Sequence, residues 1–96
     1  MTTVGVATGA GRGMGRACGA RLADAVDHLV LVDLDGAAVT DAAHDLSGAS
    51  RRADVEPFVL DVTDRAGLDR LATRVADVGT LRAVAHAAGI SPTMAD

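Results

Sequence analysis

The stretch Thr8-Gly9-Ala10-Gly11-Arg12-Gly13-Met14-Gly15 sits where a short apolar run ends and a helical pattern begins. Glycines 9, 13 and 15 follow the spacing TGxxxGxG, and each meets a separate need of a strand-to-helix turn. Gly9 permits the tight turn, Gly13 lets backbone come close to a bound group, and Gly15 lets the helix pack against the strand. A helix that starts here points its unpaired N–H groups and the positive end of its dipole at the turn. Such a turn accepts an anion, a dinucleotide's pyrophosphate for example, without a positively charged side chain.

The rest of the chain repeats this strand-then-helix pattern at short spacing, the signature of βα units and a parallel sheet. Val4 to Thr8 reads as a first strand, and a helix follows from about Gly13 to Ala25 with Met14, Cys18, Leu22 and Val26 as its apolar stripe. His28 to Val32 is a continuous apolar run, as expected of a central strand covered on both faces, and Asp33 ends it. Asp35 to Leu46 reads as a second helix, with Gly48 as its stop signal. Ser50 to Asp54 reads as a polar loop and Pro57 to Leu60 as a third strand. Thr63 or Asp64 caps a third helix that runs to about Val78 along a stripe of Leu68, Leu71, Val75 and Val78, and Gly79 ends it. Leu81 to Ala87 reads as a fourth strand and Gly89 to Asp96 as a loop. Right-handed crossovers then predict an α/β Rossmann-type doubly wound parallel sheet with strand order 3-2-1-4. In that order the Gly-rich turn, Asp33, Asp61 and Gly89 share one carboxyl edge.

Composition narrows the partners. The chain has 96 residues, at most one domain, and 49% of it is hydrophobic. About a fifth of the residues are alanine, a mix suited to close helix-on-sheet packing. A net charge of -4 without a basic run argues against nucleic acid or an anionic membrane as the main partner. The lone Cys18 forms no internal disulfide and no Cys/His cluster has metal-ligand spacing, so no metal is expected and a reducing cytosol fits best. No run approaches membrane-spanning length, and the first strand begins too near Met1 for a standard signal peptide. Gly-x-Ser-x-Gly does not occur, which removes a nucleophile elbow.

A Gly-rich motif alone also serves ordinary turns, so its weight here comes from its position and from Asp33. This residue ends the second strand 18 residues beyond Gly15, where a carboxylate accepts hydrogen bonds from the ribose hydroxyls of an adenosine, with Leu34 beside it. The competing reading makes Asp33 a solvated turn residue or the cap of the helix near Asp35.

Together, TGxxxGxG after the first strand, Asp33, Asp61-Val62, and Ala88-Gly89 after the fourth strand resemble the short-chain dehydrogenase/reductase family along the whole chain. The resemblance implies that Met14 leans toward the nicotinamide half of the cofactor. It also implies that Asp61 bonds the adenine amino group and that the Val62 backbone receives the ring edge. A cap or turn role before the third helix is the alternative for Asp61. Arg12 stands where NADP-preferring relatives often carry a basic residue, whereas Asp33 marks NAD. A carboxylate about 4 Å from a 2′-phosphate repels it by roughly 4 kcal/mol per unit charge at an effective dielectric of about 20. An exposed arginine contributes ~1 kcal/mol or less, so NAD is expected over NADP. The cofactor-binding set is therefore Gly9, Arg12, Gly13, Met14, Gly15, Asp33, Leu34, Asp61, Val62, Ala87, Ala88 and Gly89.

The fourth-strand motif departs from the family's Asn-Asn-Ala-Gly and reads His86-Ala87-Ala88-Gly89. His86 is expected to brace neighbouring strands in place of an asparagine rather than to catalyse. Ser91 is not the family's catalytic serine, which comes from the end of the next strand. Hydride transfer in the family relies on a serine and a Tyr-x-x-x-Lys pair, but this chain contains no tyrosine and no lysine. No catalytic residue is therefore expected within it. Residues 1–96 read as the N-terminal part of a single dinucleotide-binding domain, truncated before the catalytic half. The complete protein is expected to be a cytoplasmic, NAD-dependent oxidoreductase acting on a small alcohol or carbonyl substrate, and a homo-oligomer. The alternative is a non-catalytic nucleotide-binding or structural module completed by another chain.

Overall fold

Short runs rich in valine and leucine alternate with alanine-rich segments, and this alternation becomes strand and helix in turn. The computed structural model describes residues 1–49 and 52–86. Its elements are strands β1 (Thr3–Thr8), β2 (His28–Asp33), β3 (Asp54–Val59) and β4 (Thr80–His86), separated by helices α1 (Gly13–Leu22), α2 (Gly36–Ala49) and α3 (Arg65–Val78). The four strands are parallel and ordered β3-β2-β1-β4. This is the expected Rossmann-type arrangement. Thr8 pairs with Val32 on one side and with His86 on the other, so the ends of β1, β2 and β4 lie level at the carboxyl edge.

Side chains alternate across the strands, and two cores form on opposite faces of the sheet. On the α1/α2 face Ala7, Leu29 and Leu31 pack with Ala23, Val39, Ala42 and Ala43. On the α3 face Val4, Val6, Val30 and Val32 pack with Leu60, Leu71 and Val75. Leu29 to Val32 are fully buried, as a strand covered on both faces requires. The α3 face is less complete: a groove of about 500 Å³ runs between α3 and β4, lined among others by Leu68, Ala72, Leu81 and Val84. His28, Glu56 and Arg74 tie β2, β3 and α3 together, with His28 Nε2 2.5 Å and Arg74 Nη2 3.0 Å from Glu56 Oε1. Partial burial pushes the Glu56 carboxyl up, but Arg74 and His28 outweigh it and hold it below its ordinary value.

Several boundaries differ from the sequence expectation, each for a physical reason. Helix α1 stops at Leu22, not Ala25, and the Ala25 N–H bonds the Leu22 carbonyl in a closing turn. Its buried face carries Gly15 and Gly19, whereas Met14 is 65% exposed. Of the expected stripe, Val26 is fully buried and Leu22 packs against this core, but within the helix the closest contacts are made by residues small enough to let the backbones approach. A Cβ on Gly19 would lie 2.8 Å from Leu31 Cδ2. Gly48 does not stop α2, which continues to Ala49. Strand β3 begins at Asp54 and ends at Val59, longer than the run from Pro57, because Pro57 lies on an edge strand where its missing N–H is tolerated. On α3 the cap is Asp64, which accepts from the Ala66 N–H, and Leu68 is exposed while Leu71 and Val75 are buried. Among the described residues no helix is long and apolar enough to cross a membrane, and no group of His, Cys, Asp and Glu is placed to hold a metal.

Candidate functional site

The site is built where β1 ends and α1 begins. Gly9 and Gly13 adopt positive φ values of 65° and 61°, a backbone region that side chains disfavour. Gly15 answers to a different constraint: a Cβ there would sit 1.9 Å from the Gly9 carbonyl oxygen. Only glycine lets the helix start this close to the strand. A Cβ on Gly13 would meet nothing within 4 Å, so this side of the turn faces open space. Arg12 is the N-cap of α1 and makes no side-chain cap bond, which leaves the first N–H groups of the helix directed at that space. A helix start of this kind presents N–H groups and the positive end of the dipole, which favour an anion.

Asp33, at the end of β2, closes the other side. Its Oδ2 accepts the Gly11 N–H at 2.7 Å and its Oδ1 accepts the Asp35 N–H at 3.1 Å. The carboxylate thus holds the Gly-rich turn against the turn that follows β2. It does not cap α2. That position belongs to Asp35, whose Oδ1 accepts the Ala38 N–H at 3.0 Å. The Ala38 N–H first, and the Arg12 guanidinium second, hold the Asp35 carboxyl below its ordinary value.

A cleft of about 180 Å³ opens beside these turns, lined by Gly9, Asp33, Leu34, Leu60, Asp61 and Val62. Asp61 Oδ1 accepts from Thr63 Oγ1 at 2.7 Å and from the Thr63 N–H at 2.9 Å, and these two bonds lower its pKa. Asp61 is therefore a turn residue before α3 and a wall of the cleft at once.

Of the residues expected from the sequence, Gly9, Asp33, Leu34, Asp61 and Val62 come together in this cleft. Gly13, Met14 and Gly15 form the start of α1, with Met14 exposed. Arg12 pairs with Asp35, Nη2 to Oδ2 at 2.5 Å. Ala87, Ala88 and Gly89 lie outside the described residues. At the same edge Thr8 Oγ1 and His86 Nδ1 share a hydrogen bond of 2.5 Å that joins β1 to β4. Sequence reasoning missed Gly11, Asp35 and Leu60. Gly11 had a signal, since it completes the glycine-rich run; a Cβ there would lie 2.7 Å from Asp33 Oδ2. Asp35 had one too, as an aspartate just before a helix that begins at Gly36.

The comparisons agree with this geometry. Residues 3–96 match the family model described as short chain dehydrogenase. A 1-deoxy-11-beta-hydroxypentalenate dehydrogenase of Streptomyces avermitilis is 38% identical over 86 residues, covering 88% of this chain and 31% of that protein. A short chain dehydrogenase/reductase from Burkholderia phymatum, solved in complex with NAD, superposes with a TM-score of 0.71 at 34% identity, over 80% of this chain and 27% of the other. The RhlG/NADP active-site complex from Pseudomonas aeruginosa gives a TM-score of 0.73 at 28% identity, over 96% of this chain and 36% of the other. The chain spans under a third of the length of the curated relatives it matches. In sequence, in strand order and in the build of its glycine turn, it belongs to the short chain dehydrogenase family.

Proposed function

We propose that this chain supplies the cofactor site of an NAD(H)-dependent oxidoreductase that moves hydride between nicotinamide and an alcohol or carbonyl substrate. The observation that carries the reading is the position of Asp33, a half-buried carboxylate that both lines the cleft and fastens the Gly-rich turn. Each of its oxygens already accepts one N–H and keeps a second lone pair, enough for the two hydroxyls of an adenosine ribose. The N–H groups at the start of α1 receive the pyrophosphate. Asp61 and Val62 border the adenine, and Met14 lies toward the nicotinamide. By its motif, Ala87-Ala88-Gly89 brings backbone near the second ribose. Bound NAD would supply the hydride acceptor, and the alcohol proton would pass to a base. The tyrosine and lysine that the family resemblance implies for this step have no counterpart in these 96 residues, so the proposal assigns the base to a further part of the protein. Residues 1–96 are then the first part of a single Rossmann domain, in a cytosolic protein that works as a homo-oligomer.

Titration calorimetry with NAD and with NADP tests the reading. Asp33→Ala should weaken NAD binding at least tenfold, the scale of hydrogen bonds to a charged acceptor, and reduce the preference for NAD. Asp33→Asn keeps one acceptor for the Gly11 N–H, so it should hold the turn and still lose discrimination. An unchanged preference in both variants would remove Asp33 from cofactor recognition.

A further inference from the structure

We infer that Asp35 is a second determinant of cofactor choice, acting by holding the Arg12 guanidinium so that it cannot receive a 2′-phosphate. The inference rests on the dinucleotide reading above. It starts from a division of labour within one carboxylate: Asp35 Oδ1 is fixed by the Ala38 N–H at the start of α2, and Oδ2 is thereby presented to Arg12 Nη2 at 2.5 Å. Asp35 cannot follow Arg12 elsewhere without uncapping the helix. The Arg12 side chain is 73% exposed and follows Gly11, whose N–H lies 2.7 Å from Asp33 Oδ2, which sets Arg12 beside the carboxylate proposed to hold the ribose.

The next arginine along, Arg16, is held in the same way by Asp41 and Asp45 of α2. Both cations at the Gly-rich turn and the start of α1 are thus matched by α2-side carboxylates. A 2′-phosphate arriving here meets the Asp33 carboxylate together with an arginine that is already neutralised. The field favours a ribose with two free hydroxyls over one bearing a phosphomonoester. The sequence pits Arg12 against Asp33, and Asp35 adds to the side of Asp33 by engaging Arg12.

The test is calorimetric titration of the protein and its Asp35→Asn variant with NAD and NADP. Asparagine is as good a helix cap as aspartate, so the variant removes charge and keeps α2. The ratio of the NADP to the NAD dissociation constant should fall about three- to fivefold, the scale of an exposed ion pair, and Asp35→Ser, another capping side chain, should give the same shift. Adding Arg12→Gln to Asp35→Asn should cancel it. Raising the salt should shrink it, since an exposed pair is screened within a Debye length. A ratio that stays put in both Asp35 variants while NAD still binds would overturn this inference alone. A gain that survives Arg12→Gln would overturn it as well. Failure of the unaltered protein to bind either dinucleotide would overturn both this inference and the reading on which it rests.

Discussion

The two faces of the sheet solve the same packing problem with different means. On one face, two helices cover β1 and β2, and the contact is built from alanine and glycine: Gly19 approaches Leu31, while Ala7, Ala42 and Ala43 fill the layer. On the other, a single helix rests on Val4, Val6, Val30 and Val32, and a groove lies between it and β4. Small residues let backbones close on each other, as Gly15 does on the Gly9 carbonyl at the end of β1. Larger ones bury more apolar area for each side chain. The Gly-rich turn leads into α1 on the closed side, and the cleft beside it also takes Leu60 from the core of the other face.

Substitutions break or sharpen this contrast in descending order. Gly15→Ala puts a methyl group 1.9 Å from the Gly9 carbonyl, and the helix must move bodily away from the strand. We expect a loss of about 3 kcal/mol or more in a urea titration, together with loss of dinucleotide binding. A loss of under about 1 kcal/mol would show that the closed face yields easily. Leu31→Ala and Leu71→Ala remove the same atoms from opposite faces. The first should cost about 4 kcal/mol, because its surroundings cannot collapse, and the second about 2 kcal/mol, because it borders the groove. Equal losses by chemical denaturation would mean that the two faces are equally tight. Leu68→Gln and Val84→Thr, at exposed positions lining the groove, should change stability by no more than about 0.5 kcal/mol. A larger loss would show that these side chains pack against something in the folded protein.

The strand order, the glycine turn and the cleft-lining role of Asp33 and Asp61 were legible because each depends on a local pattern. A branched run makes a strand, glycine spacing makes a turn, and an acid at a strand end lies at the carboxyl edge. The face of α1 was legible only toward its end, where Leu22 and Val26 meet the core. A search for recurring large side chains selects Met14, which is exposed, and overlooks Gly15 and Gly19, whose value lies in the absence of a side chain. Gly48 misled in the opposite sense: it looks like a stop, yet it continues α2 at a position where a Cβ would meet nothing within 4 Å. The bond from Asp33 to Gly11 and the pairing of Arg12 with Asp35 join residues 22 and 23 positions apart. No periodicity encodes such a contact, because it exists only after β1 and β2 lie side by side.

Strand β1 precedes β2 and β4 in the chain and lies inside the sheet, paired with β2 on one side and with β4 on the other, Thr3 opposite Thr80. During synthesis at about 5–20 residues per second, one edge of β1 can be occupied early. The other must stay open for several seconds until β4 has been made. Nascent chains therefore pass through an interval in which a strand destined for the sheet interior has a bare edge, a template for pairing with another chain.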